Sequence, residues 1–392
     1  MTHGKENPIP MIGSMQPGVF LREHWQRAPL LVRGAIGDLA VMPGVADVLE
    51  IACEDAADAR LVLRQGEEHQ MESGPLAPAR WNQLDETCWT ILVQSMEVWM
   101  PQLQALRQSL GFLPFWRFDD IMVSVSSAGG GVGAHVDQYD VFLIQAAGRR
   151  RWRWGGPVGS LRPNTALRQV EGFYPTEEAV LEAGDLLYLP PGVVHEGTAL
   201  DDGAMTVSVG FRAPGLSDLM SALADVAAER WQDDSEGEPR FGDAGRTPAT
   251  DSNAIEAEDL AALKELMKAA LDDDALFLRA VGGQVSLPRF APEPLDQPVA
   301  TDELDALFGR GGWLERWAGS RLFQCAGEEN RATLCFDGVS AEVPSAFVTA
   351  VLSSDRIDAA AWRTWRSEPS AVAVVLAMVE TGTYGVVETG ED

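Results

Sequence analysis

The sequence predicts a mostly β protein with added helices, built around a sandwich or barrel of short strands. Apolar residues recur with a period of two from about residue 117. Gly, Pro and Asp-Gly separate these runs, as turns do between strands. Helical spacing returns after Pro214. Many short strands within about 95 residues are typical of a sandwich or barrel. The strand runs are "DIMVSVSS", "DVFLIQAA", "RRRWRWG", "GDLLYLPPG" and "MTVSVGFRA".

The length of the chain and its net charge restrict the number of domains and the classes of binding partner. The 392 residues are compatible with two or three domains, and 46% hydrophobic content with 12 tryptophans can form sizeable cores. With 30 Lys and Arg against 59 Asp and Glu, the net charge is −29. Such a surface repels nucleic acid and anionic membranes and attracts basic proteins. Solubility, or adaptation of the host to salt, is an equally good reason for this charge.

The cysteines and the apolar runs indicate the compartment. Four cysteines without CxxC spacing predict neither a zinc ribbon nor a thioredoxin-like site, and they fit a reducing cytoplasm. The first twenty residues lack the apolar core of a signal peptide. No run approaches the roughly 20 apolar residues of a membrane span. We therefore expect a cytoplasmic protein without a membrane partner.

The segments before and after the strand-rich region are predicted to be mainly helical, with a long loop and a linker. "LLVRGAI" (30–36) predicts a strand after a helix, and 86–110 predicts a helix or a broken helix pair. Residues 233–253 predict a long flexible acidic loop, and 287–298 a Pro-rich linker. Asn253 and Glu256 could form a capping box that opens a helix. Apolar stripes predict two helices, one with Leu219, Met220, Leu223, Val226 and Ala227, and one with Leu260, Leu263, Leu266 and Met267.

Two histidines and one carboxylate predict a metal centre. His135 and Asp137 are two residues apart in "GAHVDQYDVF", so on a strand they project the same way, about 7 Å apart. His195 follows a Gly-Asp turn, a strand and a Pro-Pro-Gly bend. In a double-stranded β-helix we expect these two strands to face each other. Such a triad leaves metal positions open, as in non-haem Fe(II) oxygenases. The histidines without this context are His3, His24 and His69.

A run of arginines predicts an anion site. In "GRRRWRWG", alternation places Arg150 on one face with Trp152 and Trp154. If that face is inward, the buried cation needs an anion, and no carboxylate lies in the same strand. A ligand carboxylate is a suitable partner, because the planar guanidinium binds it through two hydrogen bonds. A basic patch or an internal salt bridge remains the alternative.

These motifs together resemble a known family. "HVDQYDVFLIQAAGRRRWRWG", "GDLLYLPPGVVHEG" and "SVGFRAP" are similar to the JmjC ribosomal oxygenases, especially the bacterial branch that hydroxylates an arginine of large-subunit ribosomal protein sixteen. "FLREHWQRAPLLVRGA" and "DDALFLRAVGGQVSLPR" extend the resemblance over most of the chain. It implies a double-stranded β-helix of the cupin/JmjC type. It also implies a 2-oxoglutarate-dependent dioxygenase with Fe(II) as cofactor and with 2-oxoglutarate and O₂ as co-substrates.

The resemblance also implies roles for residues. His135, Asp137 and His195 would hold iron, while Arg150 and Ser124 would bind the distal carboxylate of 2-oxoglutarate. The reaction would yield succinate and CO₂ and hydroxylate a C–H bond of an arginine side chain at carbon 3. An arginine substrate needs acidic or aromatic walls, for which the candidates are Tyr139, Gln138, Asp120 and Ser208, with Asp119 and Asp140 on the same strands. Asp140 could equally be a loop-capping residue.

The resemblance finally implies the domain organisation and the partners. Residues 1–214 would be the JmjC oxygenase domain, 215–290 a helical dimerisation segment and 295–392 a winged-helix-like α+β domain. Residues 301–392 carry 7 Lys and Arg against 15 Asp and Glu, a net charge of −8. That charge disfavours DNA and favours a basic protein. We therefore expect a basic ribosomal protein as substrate and a homodimer.

Three other functions stay open. An oxygenase of the same fold could act on histidine or methyl-lysine of another protein. A non-oxygenase cupin usually adds a further His and a Glu soon after the first metal histidine, whereas the residues after Asp137 are Gln-Tyr-Asp-Val-Phe. A transcriptional regulator could use the C-terminal domain to bind DNA, against the charge of that domain.

Overall fold

The structure is a computed structural model, and it forms two compact units, Met1–Ala213 and Pro214–Asp392. The further division of the second unit at 215–290 and 295–392 stays a prediction. The residues that the structure describes are 12–66, 68–84, 88–162, 168–232, 237–249, 251–290, 298–327 and 330–388.

Short antiparallel strands dominate the first unit. The strands are β1 (Leu30–Val32), β2 (Ala59–Gln65), β3 (Glu68–Ser73), β4 (Cys88–Val93), β5 (Phe118–Ser126), β6 (His135–Val136), β7 (Asp140–Ala147), β8 (Arg150–Trp154), β9 (Ser160–Leu161), β10 (Val170–Glu171), β11 (Glu177–Leu181), β12 (Leu186–Leu189), β13 (Val194–Ala199) and β14 (Ala204–Phe211). The helices are α1 (Pro17–Glu23), α2 (Val45–Ile51), α3 (Met96–Trp99) and α4 (Gln104–Ser109), with 3₁₀ turns at Pro78–Gln83, Pro101–Leu103 and Phe115–Arg117.

Two antiparallel sheets enclose an apolar interior, which confirms the predicted barrel. The larger sheet has the order β1-β12-β7-β14-β5-β4-β2-β3, and the smaller has the order β11-β8-β13-β6. Alternate side chains of β7, β8 and β12 meet between them, because successive residues of a strand face opposite ways. The buried residues of this core include Val141, Leu143, Trp152, Trp154, Leu187 and Leu189.

The outer face of the larger sheet is covered by helices. Phe20 of α1, Val48 of α2 and Met96 of α3 are fully buried against it. Alternate residues of β5 and β14 point toward these helices and pack against them. They are Ile121, Val123, Val125, Val207 and Val209. The helices therefore cover the outer face of the larger sheet, which leaves its inner face free to line a site.

The helix predicted over 86–110 is wrong in its first half. Cys88–Val93 forms strand β4, which lies between β2 and β5, and short helices begin only at Met96. "WTILV" is rich in β-branched and aromatic residues, and burial on both faces removes the alternation that marks a half-exposed strand. Apolar spacing alone does not separate such a strand from a helix.

The second unit combines helices with two small antiparallel sheets. Its helices are α5 (Leu216–Gln232), α6 (Ala257–Asp272), α7 (Asp274–Ser286), α8 (Thr301–Gly309), α9 (Ser345–Leu352), α10 (Ala359–Trp365) and α11 (Pro369–Glu380). Its strands are β15 (Trp313–Arg316), β16 (Leu322–Gly327), β17 (Arg331–Phe336), β18 (Val339–Pro344), β19 (Arg356–Ile357) and β20 (Tyr384–Val387). The sheet orders are β19-β15-β20 and β16-β17-β18. The winged-helix assignment stays a prediction.

The second unit differs from the sequence predictions in several local features. Helix α6 begins at Ala257 with Glu256 as its N-cap residue, so the capping box with Asn253 does not form; the Asn253 side chain instead donates to Asp251. Cys325 and Cys335 form a disulfide that joins β16 to β17, which their spacing did not predict. Of the predicted loop, 237–249 and 251–253 lack helix and strand, whereas 233–236 and 250 lie outside the described residues.

Of the predicted linker 287–298, residues 291–297 lie outside the described residues, and so does the expected start of the C-terminal domain at 295. Among the helices that the structure describes, none combines the length and the apolar character that crossing a bilayer requires.

Candidate metal and co-substrate site

His135, Asp137 and His195 come together inside the barrel. One ligand atom from each lies within 4.8 Å of the others. The Nε2 atoms of His135 and His195 lie 3.9 Å and 3.5 Å from Oδ2 of Asp137. Three donors at this spacing on one side leave the opposite side open, so the group can hold an ion and still admit further ligands.

The expectation that the two histidine strands face each other is wrong. β6 and β13 are neighbours in the smaller sheet, and His135 is the direct cross-strand partner of His195. Asp137 also lies outside a strand, because β6 ends at Val136. Its backbone carbonyl accepts a hydrogen bond from the amide of Gly192 (2.8 Å), which ties the segment after β6 to the Pro-Pro-Gly bend before His195.

Backbone carbonyls orient both imidazoles. Nδ1 of His135 lies 3.0 Å from the carbonyl oxygen of Gly133, and Nδ1 of His195 lies 3.0 Å from that of Val193. A carbonyl oxygen only accepts, so each Nδ1 is the donor in these contacts, which leaves each Nε2 as the ring nitrogen directed to the candidate metal position. Burial and the neighbouring His135 lower the pKa of His195 to about 4. His195 is therefore a neutral ligand at physiological pH.

Glycines allow the close packing beneath this site. A Cβ on Gly197 would lie 2.8 Å from the ring of Trp152, and a Cβ on Gly131 would lie 2.4 Å from the carbonyl oxygen of Gly197. Both distances are shorter than van der Waals contact, so a larger residue would displace β13 or the Gly129–Gly131 turn.

Arg150 is buried in the same cavity, and none of the described carboxylates pairs with it. Its residue surface is 4% exposed, and the cavity that holds the three candidate ligands is also lined by Arg150. Among the described residues, its side chain donates to Oγ of Ser126 (2.7 Å), and Nε has no acceptor. Burial lowers the pKa of Arg150 to about 10, so it stays charged at neutral pH. A buried guanidinium of this kind needs an anion, as the sequence predicted.

A hydroxyl pair that sequence reasoning missed supports Arg150. Ser126 and Thr90 are buried, and their hydroxyl oxygens lie 2.9 Å apart. The predicted Ser124 also lines the cavity, but its hydroxyl donates to the carbonyl of Thr206 (3.4 Å). Alternation along β5 gives Ser124 and Ser126 the same facing, so the signal for Ser126 was present. Thr90 had none, because its segment was predicted as a helix.

The predicted substrate residues divide into two groups. Asp120, Tyr139 and Ser208 line the cavity with the candidate metal ligands, whereas Gln138 is exposed and lies outside its lining. Asp119 accepts a hydrogen bond from Arg212 (2.6 Å). Asp140 is fully buried and accepts from the side chains of Tyr188, Gln26 and Arg117, so these contacts join β7 to distant segments and do not cap a loop.

Comparisons with known proteins agree with this geometry. The JmjC domain family matches residues 105–219. The ribosomal protein uL16 3-hydroxylase of Escherichia coli is 33% identical over 93% of this chain and 96% of its own length. This chain belongs to the JmjC ribosomal oxygenase family. A probable ribosomal oxygenase of Haemophilus influenzae is also 33% identical, over 76% of this chain and 75% of its own.

Solved structures of family members have the same fold. An X-ray structure of Escherichia coli YcfD matches 95% of this chain and 99% of its own, with a TM-score of 0.79 and 31% identity. A second structure of this ribosomal oxygenase, in complex with cobalt and 2-oxoglutarate, matches 95% of this chain and 98% of its own, with a TM-score of 0.77. The cupin/JmjC fold predicted for the first unit is therefore confirmed.

Proposed function

We propose that this protein is an Fe(II)- and 2-oxoglutarate-dependent hydroxylase that acts at carbon 3 of an arginine side chain of a large-subunit ribosomal protein. The observation that carries the proposal is the meeting of two features in one cavity. A triad of two imidazoles and a carboxylate lies beside a buried guanidinium that has no carboxylate partner among the described residues.

The triad suits Fe(II). Two imidazole nitrogens and one carboxylate oxygen are the donor set of non-haem iron oxygenases. The carbonyls of Gly133 and Val193 accept from Nδ1 of each ring and so orient its Nε2 toward the ion position, which is how ligating histidines are commonly held. His135, Asp137 and His195 would hold the ion. Bound iron, with 2-oxoglutarate and O₂, supplies oxidative decarboxylation to succinate and CO₂ coupled to hydroxylation of a C–H bond.

Arg150 suits the far carboxylate of 2-oxoglutarate. The guanidinium can bind it through two hydrogen bonds, and the Thr90–Ser126 pair keeps it in place when the cavity is open to water. The Ser126 hydroxyl accepts a hydrogen bond from Arg150, and Ser124, two residues earlier, has the same facing on β5. Both hydroxyls are therefore candidates to bind the far carboxylate of 2-oxoglutarate. The charge of Arg150 also keeps this end of the cavity selective for a dicarboxylate.

The opposite part of the cavity suits a cationic substrate side chain. Asp120 and Ser208 are buried there, and Tyr139 offers an aromatic wall against which a guanidinium can stack. The net charge of −29 would speed the approach of a basic ribosomal protein. The relative from Escherichia coli carries the name ribosomal protein uL16 3-hydroxylase, which supports this substrate class.

Assembly and location are part of the same proposal. No residue of α6, all of which is described, is buried in the single chain, and its exposed large apolar residues are Leu260, Leu263, Met267 and Leu271. A second copy would cover such a stripe, so we infer a homodimer through the helical segment 215–290. The charge of −8 over 301–392 favours protein over DNA for the winged-helix-like domain. Ribosomal substrates imply the cytoplasm.

One reaction tests the proposal. The purified protein is incubated with Fe(II), 2-oxoglutarate and an arginine-containing peptide of ribosomal protein uL16, with the His135→Ala variant as control. The expected result is succinate together with a peptide heavier by one oxygen atom, placed on arginine carbon 3 by fragmentation. Oxidation of a histidine or loss of a lysine methyl group would instead favour another oxygenase of this fold. No succinate release would favour a non-oxygenase cupin.

A further inference from the structure

The short strand that carries His135 has a neighbour on each side. On one side His135 is the cross-strand partner of His195, and on the other it forms an antiparallel bridge with Gln169. On that second side the backbone amide of Val170 donates to the carbonyl of Ala134 (2.8 Å). Because β6 has only two residues, contacts with neighbouring segments must fix much of its position. The segment that begins at Gln169 supplies one set of these contacts.

The side chain of Gln169 binds the backbone just before His135. Gln169 is 6% exposed, and its Nε2 donates to the carbonyl oxygen of Val132 (2.7 Å). The next carbonyl along the chain, that of Gly133, lies 3.0 Å from Nδ1 of His135 and accepts from it. The two carbonyls belong to adjacent peptide groups, so a hydrogen bond to the first restricts the orientation of the second. Gln169 is therefore connected to the imidazole of a candidate metal ligand through a short piece of backbone.

Gly133 is the point at which this piece of backbone could rotate. Its φ of 81° lies in the left-handed region, and glycine has more conformational freedom than any other residue. A Cβ on Gly133 would lie 2.8 Å from Cε1 of His69 and 3.1 Å from Nε2 of Gln169, so both side chains lie close against it. Without the hydrogen bond from Gln169, we expect Gly133 to adopt further conformations in which its carbonyl no longer meets His135.

The fold holds Gln169 itself in place. Its backbone carbonyl accepts from the amide of Arg162 (2.8 Å), and the strand that follows it, β10, pairs with β9. Val170 of β10 is buried in one apolar cluster with Val136 and Val194. The carboxamide of Gln169 is therefore mounted on a packed segment, and such a donor orients its acceptor better than a side chain on a mobile loop does.

We propose that Gln169 is a positioning residue for the metal centre. Its carboxamide holds the Val132 carbonyl, and the Gly133 carbonyl beside it keeps His135 turned toward the ion. The inference rests on the proposed function, since it takes the metal site as given. Residues that orient a metal ligand contribute to metal affinity although they do not touch the ion. If the hydrogen bond is lost, metal binding has to order His135 again, and its affinity falls.

Cobalt(II) binding to the full-length protein, without substrate, tests this role. Gln169→Met keeps an unbranched side chain of similar length that cannot donate. Gln145→Met is the matched control, because Nε2 of the buried Gln145 also donates to a backbone carbonyl, that of Ala147 (2.8 Å). Both changes should lower the Tm of the metal-free protein, and Gln145→Met at least as much, since it also loses a hydrogen bond from Thr206 (3.1 Å). Only Gln169→Met should weaken Co(II) binding, by about 3- to 10-fold, which is the value of roughly one hydrogen bond.

Proton NMR of the cobalt-bound protein distinguishes an effect on His135 from a general loss of stability. Co(II) shifts the Nδ1 protons of its imidazole ligands away from the other signals, so His135 and His195 should each give one exchangeable signal. In Gln169→Met we expect one of the two to exchange with solvent faster, because the Gly133 carbonyl no longer holds that proton. The signal of His195 should stay unchanged, and Gln145→Met should alter neither signal.

The outcomes separate this inference from the proposed function. Equal Co(II) affinity and equal exchange rates in the wild type and Gln169→Met would overturn the role of Gln169 alone. The same would follow if both variants lost affinity in proportion to their loss of Tm, because the effect would then be one of stability. A wild-type protein that binds no Co(II) would reject the metal site, and this inference with it.

Discussion

His135 and His195 are direct cross-strand partners on β6 and β13, with imidazole centroids 4.2 Å apart. Their register is fixed by the antiparallel pairing of β13 with β8 on its other side. Because side chains alternate along a strand, a slip of one residue would turn one histidine out of the cavity. The position of the two histidines in the candidate metal site therefore depends on the strand register of the smaller sheet.

His195→Ala should remove tight Fe(II) binding. It deletes one of three candidate ligands, and since even residues that support a metal ligand are worth 10- to 100-fold in affinity, we expect a loss above about 100-fold. Metal content after dialysis, and the rise in Tm on adding Fe(II), measure this. His24→Ala, at a residue that does not line the cavity, is the control. Wild-type metal content in His195→Ala would contradict the assignment.

Arg150→Met should have opposite effects on the free and the 2-oxoglutarate-bound protein. Removing a buried cation that has no carboxylate partner among the described residues should raise the Tm of the free protein. The same change removes the anchor for the co-substrate, so 2-oxoglutarate should no longer raise the Tm. Ser126→Ala should weaken 2-oxoglutarate binding by about 2- to 10-fold, the value of roughly one hydrogen bond. A full 2-oxoglutarate shift in Arg150→Met would argue against this anchor.

Asp140→Ala should destabilise the first unit strongly. Asp140 is fully buried, and its loss leaves Nη2 of Arg117 and the hydroxyl of Tyr188 (2.6 Å) without the acceptor they share. Breaking such a pair costs about 3–5 kcal/mol in unfolding free energy. Guanidinium unfolding followed by tryptophan fluorescence measures it. Asp201→Ala, which removes the exposed ion pair with Arg149, should change little; equal effects of the two would refute the role of Asp140.

Asp185 should stabilise the folded protein only at a pH at which its carboxyl group is ionised. Burial alone would raise its pKa, but hydrogen bonds from the amides of Glu182 and Gly34 and from the Arg33 guanidinium lower it below 3.8. A lowered carboxyl pKa gives stability that is complete above about pH 4 and is lost as pH falls further. Between pH 5 and 2, the Tm of Asp185→Asn should fall less steeply than that of the wild type. Parallel slopes would show that other carboxyl groups control acid unfolding.

Charge placed on the apolar stripe of α6 should break the proposed dimer. Leu263→Glu with Met267→Lys puts ions where we expect a second copy to bury leucine and methionine, so the mass from light scattering should halve. Lys264→Glu, on the same helix but outside the stripe, should remain dimeric. A wild-type protein that is monomeric at micromolar concentration would exclude this interface.

Residue type and periodicity were enough to predict much of the barrel and its site. Alternation predicted β5, β7, β8, β12 and β14, and it placed Arg150 on the same face of β8 as Trp152 and Trp154, which is buried in the structure. The His-x-Asp pair and the distant histidine predicted a metal group because few histidines occur and their spacing carries the signal. The prediction was wrong for β4, whose residues are buried on both faces and therefore show no period of two.

The sequence by itself determined which residues are chemically able to act: His135, Asp137, His195 and Arg150 could be named from local pattern, because facing and turn chemistry depend on neighbours in the chain. Only the tertiary structure decided that the two histidines are adjacent rather than opposed, that Ser126 is the hydroxyl on Arg150, and that Gln169 binds the backbone just before His135. These relations join strands and helices distant in sequence, and their distances follow from the order and register of the sheets, which local spacing does not encode.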